Sequence, residues 1–177
     1  MVMEIPTDMH PNCLPLVFLL GTWAGAGVGD YPTIEGFQFG QELEFSYTPN
    51  KPFLRYESRS WLLDAEGNQV RPLATESGFW RPQERTEANG TAGTTRTLIE
   101  VTMAHPTGYS EIWVGEADGA RVELRTDLVA RTETAKEYSA GFRLYGLVKG
   151  DLMWVFEMAA MGQELQPHLS AQLKPVR

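Results

Sequence analysis

The chain has 177 residues, of which 42% are hydrophobic and 21% charged. This length suits one domain with a sizeable buried core, and we expect a single domain over residues 1–177. The formal net charge of −8 argues against a nucleic-acid partner, because phosphate binding needs clustered Lys and Arg side chains. The same charge argues against docking on an anionic membrane surface.

The N-terminal region lacks the marks of a membrane span or a secretory signal. The apolar run at residues 14–20 is too short to cross a bilayer. No Lys or Arg precedes Lys51, so the positive start of a signal peptide is missing. The single cysteine, Cys13, cannot form an internal disulfide, which fits a reducing compartment. We therefore predict a soluble, cytoplasmic protein in which residues 1–11 are flexible.

The first predicted element is a short helix in "NCLPLVFLLG". Asn12 is a suitable N-cap and Gly21 a suitable end. The segment is apolar nearly all round, so the helix should be buried, where it can close one end of the fold that follows.

The rest of the chain has the pattern of β-strands. In "FQFGQELEFSY", Leu43, Phe45 and Tyr47 share one side, and "DLMWVFEMAAM" has a similar apolar side. About nine or ten such segments follow one another, separated by turn residues, with almost no helical periodicity. This order predicts an all-β protein, an antiparallel barrel or sandwich.

Histidine is rare, and its three positions do not resemble a zinc site. His10 lies near the N-terminus, His105 stands in the turn-like "AHPTG", and His168 follows Pro167 in "QPHLSAQL". None has the short ligand spacing of zinc proteins. A surface histidine in a turn is the simplest interpretation of His168 taken alone.

The segment "LGTWAGAGVGDYPTIEGF" contains G-x-W-x-G-x-G at Gly21, Trp23, Gly25 and Gly27. A tryptophan buries a large apolar area where a strand enters a barrel, and glycines let neighbouring backbones approach closely. Alone, the motif indicates a barrel that can hold a ligand and says nothing about which ligand.

Together with "ESGFWRP" and "QPHLSAQL", this segment resembles the nitrobindin family over about residues 15–173. The resemblance implies a ten-stranded antiparallel β-barrel, similar to fatty-acid-binding proteins, that holds one non-covalent haem b. It implies that His168 is the axial ligand of the haem iron. It also implies that Thr33 of "YPT" and Lys136 of "TETAKEY" lie near the haem.

The resemblance further implies an activity. Family members convert peroxynitrite to nitrate on ferric haem and bind nitric oxide on ferrous haem, so small molecules are the expected partners. Ferric iron can act as a Lewis acid, which would explain why no acid–base pair stands out. Whether the chain forms a homodimer stays open.

Two observations do not fit the resemblance smoothly. Many relatives have a histidine where this chain has Ala74, in "PLATESGF". In addition, strict alternation would place His168 on the side opposite Leu169, Ala171 and Leu173, although a soluble barrel should have its leucines inside.

An alternative interpretation is a lipocalin-like carrier of a fatty acid or other apolar molecule, without catalysis. Such a carrier has no need of His168 and would use inward cations for a carboxylate head group. Arg55, Arg59 and Arg143 are the candidates, although Arg55 and Arg59 also fit the solvated side of a strand. A structural interaction module without a ligand is a third interpretation.

Overall fold

Ten antiparallel strands close into one barrel in a computed structural model, which describes residues 5–176. Each strand pairs with the next along the chain, and the first pairs with the last. The prediction of a ten-stranded antiparallel barrel is confirmed. The strands are β1 Gly21–Tyr31, β2 Ile34–Tyr47, β3 Leu54–Leu63, β4 Gln69–Pro82, β5 Thr97–His105, β6 Tyr109–Asp118, β7 Arg121–Arg131, β8 Tyr138–Val148, β9 Asp151–Ala160 and β10 Gln166–Pro175.

The alternation that predicted strands also sets which side chains form the core. In β2, Leu43 and Phe45 are buried while Glu44 between them is exposed. In β9, Leu152, Trp154 and Phe156 are buried. Because a strand turns successive side chains to opposite faces, these residues fill the barrel interior.

The glycines of β1 allow close packing against β10. A Cβ atom on Gly25 would overlap the carbonyl oxygen of Gln172, and one on Gly27 would overlap the carbonyl oxygen of Ser170. Trp23 is buried nearby and its indole N–H donates to the carbonyl of Leu19 at 2.8 Å. The motif therefore has a structural role where the barrel closes.

The N-terminal helix is a 3-10 helix over Pro11–Leu19 that contacts β4 and β6. The prediction of Asn12 as the N-cap is wrong. His10 is the N-cap, and its Nδ1 accepts a hydrogen bond from the Asn12 N–H at 3.2 Å. The helix leads directly into β1 and so lies at the end of the barrel where β1 begins.

The flexibility expected of residues 1–11 stays a prediction. Residues 1–4 lie outside the described part of the chain. Within the rest, Met9 is buried, and the Asp8 carbonyl accepts a hydrogen bond from the Asn50 N–H at 2.9 Å.

The opposite end of the barrel is its mouth, formed by the turns that follow β1, β3, β5, β7 and β9. Two strand pairs come apart before they reach this end. The β7–β8 ladder extends no farther than Arg125 of β7, and the β4–β5 ladder no farther than Ser77 of β4. The strands therefore separate toward the mouth. No helix in residues 5–176 has the length and apolar character needed to span a membrane.

Candidate functional site

A cavity of about 610 Å³ opens at the mouth between β2, β3 and β4 on one side and β9 and β10 on the other. This volume lies within the range typical of small-molecule sites. Apolar side chains supply much of the wall, and polar groups lie deeper. The lining includes Ile34, Phe37, Phe39, Leu62, Leu73, Trp154 and Leu169, with Gln41, Ser58 and Glu76 among the polar members.

His168 lies at a β-bulge in β10. In the ladder with β9, Pro167 pairs with Glu157 and Leu169 pairs with Phe156, so His168 is an extra residue without a partner. A bulge interrupts the alternation of side chains along a strand. This explains the earlier conflict, because His168 and Leu169 both line the cavity although they are consecutive.

The imidazole of His168 is fixed by one backbone contact. Its Nδ1 lies 2.9 Å from the carbonyl oxygen of Asp30 at the end of β1. A carbonyl oxygen only accepts hydrogen bonds, so Nδ1 carries the proton. In the neutral ring, Nε2 then has a free lone pair.

The surroundings of His168 favour the neutral imidazole. Burial lowers the pKa of the ring, against the opposing effect of the hydrogen bond to Asp30. Three aromatic rings approach it, those of Tyr31, Phe37 and Phe156, with ring centroids at 5.4, 6.4 and 5.9 Å. A neutral imidazole with a free nitrogen in a partly apolar cavity is suited to ligate a metal.

The structure brings His168 and Lys136 to one cavity, whereas Thr33 lies beside it. Lys136 is in the turn between β7 and β8 and lines the cavity with an exposed side chain. Thr33 is exposed in the turn between β1 and β2, next to the lining residue Ile34. Ala74 of β4 lines the same cavity. The haem contacts of Thr33 and Lys136 stay predictions.

An ion pair that the sequence did not reveal lies deep in the cavity, between the lining residue Glu76 and the buried Arg143. The guanidinium of Arg143 donates to both carboxylate oxygens of Glu76, at 2.6 and 2.9 Å. Arg143 is only 2% exposed. Burial acts to raise the pKa of Glu76, but the charge and hydrogen bonds of Arg143 outweigh it and bring the pKa to about 2. Glu76 is therefore an anion bound to a cation, not an acid available for catalysis.

A second polar cluster corrects the interpretation of His105 as part of a turn. His105 is the last residue of β5 and is buried, with its Nε2 2.7 Å from Glu111. The same carboxylate accepts hydrogen bonds from Trp113 at 3.0 Å and Tyr138 at 2.6 Å. Because Glu111 is fully hydrogen-bonded inside the barrel, we assign this cluster to the core.

The donor set fits a haem iron better than a bare metal ion. Within residues 5–176, no three His, Cys, Asp or Glu side chains lie together as a metal-ion site. A single axial nitrogen is enough for haem, because the porphyrin supplies the other four ligands to iron. His168 offers that nitrogen at the edge of a cavity that is otherwise largely apolar.

Comparisons with known proteins agree with this geometry. The model of the THAP4-like, heme-binding beta-barrel domain matches residues 12–175. A protein of a Nocardioides species named peroxynitrite isomerase is 50% identical over 175 residues, covering 98% of both chains. A ferric nitrobindin-like protein of Streptomyces griseus is 49% identical, covering 99% of this chain and 87% of its own.

A solved structure has the same fold. The crystal structure of Rv2717c from M. tuberculosis aligns with a TM-score of 0.78 and 35% identity, covering 96% of this chain and 100% of its own. The resemblance to nitrobindin drawn from the sequence motifs is thereby confirmed. The chain belongs to the family of THAP4-like, haem-binding β-barrel domains.

Proposed function

We propose that this chain binds one haem b without covalent attachment, with His168 as the axial ligand, and converts peroxynitrite to nitrate. One observation carries the proposal. The hydrogen bond from His168 Nδ1 to the Asp30 carbonyl leaves Nε2 as the free ring nitrogen of a side chain that lines the cavity. Histidines that ligate metals typically donate their other ring N–H in this way. The relatives named peroxynitrite isomerase at 50% and 46% identity support the reaction.

The chain's own residues bind and orient the cofactor. His168 would hold the iron, and the apolar walls that include Phe39 and Leu73 would cover the ring and exclude water from it. Lys136 and Arg71 line the same cavity and are exposed cations, so either can meet the carboxylates of the haem at the mouth. We also propose that Thr33 and Lys136 lie near the bound haem.

The reaction itself needs no proton donor or acceptor from the protein. Peroxynitrite and nitrate have the same atoms and charge, and bound ferric haem would supply a Lewis acid for the rearrangement. Glu76, the one carboxylate deep in the cavity lining, is held by Arg143 and cannot act as a base. The open mouth leaves room for a small anion to enter. Nitric oxide binding by the ferrous form is part of the same proposal.

The fatty-acid carrier is the competing function, and the three arginines that the sequence offered for its carboxylate site do not supply one. Arg55 and Arg59 are exposed on the outer face of β3, and Arg59 pairs with Glu42 at 2.6 Å. Arg143 is inside the barrel, but Glu76 already occupies its guanidinium. None of the three is a free inward cation for a carboxylate head group. Cytoplasmic location and homodimer formation stay predictions.

The test is a titration of the haem-free protein with haemin, followed by the visible spectrum, for wild type and His168→Ala. We expect a saturable Soret band that His168→Ala loses, while His105→Ala, which removes a histidine from the core cluster, retains it. Peroxynitrite decay and nitrate yield are then measured on the loaded protein. Binding that is indifferent to His168, together with displacement of a fluorescent fatty acid, would favour the carrier.

A further inference from the structure

The side chain of Tyr31 joins the ends of β1 and β9, the strands on either side of His168 in β10. Its hydroxyl accepts a hydrogen bond from the Ala160 N–H at 3.0 Å and donates to the Met158 carbonyl at 3.0 Å. Tyr31 is only 3% exposed. A buried hydroxyl that uses both its donor and an acceptor position against another strand is a strong local restraint.

This restraint acts where the regular strand pairing has ended. The β1–β10 ladder ends at the pair Gly29 and Leu169. On the other side of β1, the ladder with β2 has a bulge between Gly29 and Tyr31, so Asp30 has no partner there. His168 is likewise the extra residue of its own bulge. The contact between Asp30 and His168 therefore lies between two residues that no strand ladder fixes.

Tyr31 can fix this contact because its backbone nitrogen and the Asp30 carbonyl belong to one planar peptide group. Holding the Tyr31 side chain against β9 thus limits rotation of the carbonyl to which His168 Nδ1 donates. The tyrosine ring also approaches the imidazole edge-on, with centroids 5.4 Å apart and planes at 74°. Tyr31 thus restrains His168 in two ways, through the Asp30 carbonyl and through contact between the tyrosine ring and the imidazole.

We propose that Tyr31 is a positioning residue for His168: its hydroxyl, bound to β9, holds the Asp30 carbonyl at Nδ1 and so keeps Nε2 free for the cofactor. The inference rests on the proposed haem site for its purpose, although the tautomer it predicts belongs to the haem-free protein. Without the restraint, the carbonyl can turn away and the ring can carry its proton on Nε2, which cannot then ligate iron.

The experiment measures the tautomer of His168 in the haem-free protein from its ring 15N chemical shifts, at a pH where the ring is neutral. Tyr31→Phe removes only the hydroxyl and keeps the ring. His168→Gln identifies the signals among the three histidines. Tyr47→Phe is the matched control, because it also removes one tyrosine hydroxyl bond, to Asp8, at the far end of β2.

We expect wild type and Tyr47→Phe to hold the Nδ1–H tautomer and Tyr31→Phe to show a mixture with Nε2–H. Haem release to apomyoglobin should become about two- to tenfold faster in Tyr31→Phe, the range for loss of one buried hydrogen bond. An unchanged tautomer in a folded Tyr31→Phe would overturn the proposal. So would a wild-type protein that carries its proton on Nε2, whatever the variant does.

The haem function and the positioning role of Tyr31 can be tested independently of each other. If haemin does not bind wild type but the tautomer depends on Tyr31, the positioning of His168 stands and the haem function does not. If haemin binds through His168 but the tautomer is indifferent to Tyr31, the haem function stands and the positioning role does not. Thermal unfolding of each haem-free protein establishes that the comparison is made between folded chains.

Discussion

The Nδ1 of His168 lies 2.9 Å from the carbonyl oxygen of Asp30, 138 residues away along the chain. The contact joins the last strand to the first one, at the end of the seam that closes the barrel. Correct closure is therefore a condition for orienting the histidine. A change that disturbs the packing of β1 on β10 should alter the cofactor site even when it lies far from the cavity.

Substitution of Gly27 tests the packing of that seam. A Cβ atom there would overlap the Ser170 carbonyl and approach the Phe39 ring and the Ala171 Cβ within 2.5 and 2.7 Å. We expect Gly27→Ala to lower the free energy of unfolding by about 1–3 kcal/mol, the usual cost of overpacking. The measurement is urea unfolding of the haem-free protein.

The matched control is Gly36→Ala, because a Cβ on Gly36 would meet no atom closer than 3.8 Å. It should change stability by no more than about 0.5 kcal/mol. Equal effects of the two substitutions would contradict the close approach of β1 and β10.

The Glu76–Arg143 pair makes a second prediction, tested with a double-mutant cycle. Arg143→Met leaves the largely buried Glu76 carboxylate without its cation, and Glu76→Gln leaves the buried guanidinium without its counter-ion. Each single change should cost about 3–5 kcal/mol of unfolding free energy. The double variant should lose clearly less than the sum, because no unpaired charge remains.

The exposed pair Arg59–Glu42 is the control for this cycle, with side-chain exposures of 69% and 36%. Its coupling energy should be about 0–1 kcal/mol. A coupling between Glu76 and Arg143 as small as that of the surface pair would show that the buried pair is hydrated.

The barrel was predictable from the sequence because alternation and turn residues are local signals. The resemblance to nitrobindin then predicted the number of strands and singled out His168 as the axial ligand. Alternation alone failed at His168, since a bulge is set by the pairing of two distant segments. Arg143 was an inward candidate from the sequence, and β8 does bury Gly141, Arg143 and Tyr145, but its pairing with Glu76 was not predicted. Hydrophobicity alone suggests the opposite face. The ion pair with Glu76 in β4, together with the aromatic rings around the guanidinium, makes this burial favourable.

Acid should destabilise the barrel through Glu76. Its pKa in the folded protein is lowered from 4.5 to about 2. A lowered pKa means that the stabilising contribution is complete above about pH 4.5 and is lost as the pH falls toward 2. Between these values, the wild type should lose up to about 1.4 kcal/mol of unfolding free energy per pH unit from this group.

Glu76→Gln removes that titration, so its stability should depend less steeply on pH over the same range, although it starts lower. Glu42→Gln, measured alongside, is the control for removal of a carboxylate outside the Glu76–Arg143 pair. The measurement is urea unfolding at a series of pH values, with haem absent. If Glu76→Gln and wild type have the same slope, Glu76 titrates with an ordinary pKa.

Lys136 makes the last prediction, on retention of the cofactor at the mouth. Its exposed side chain lines the cavity that His168 lines, and its charge is opposite to that of the haem carboxylates. Exposed ion pairs contribute about 0.2–1 kcal/mol, so Lys136→Met should speed haem release by about 1.5- to fivefold. The difference should shrink as salt is added, because salt screens exposed charges. Lys174→Met removes an exposed lysine at the other end of β10 and should leave the rate unchanged. A release rate for Lys136→Met equal to that of Lys174→Met at low salt would exclude an electrostatic contact between Lys136 and the haem.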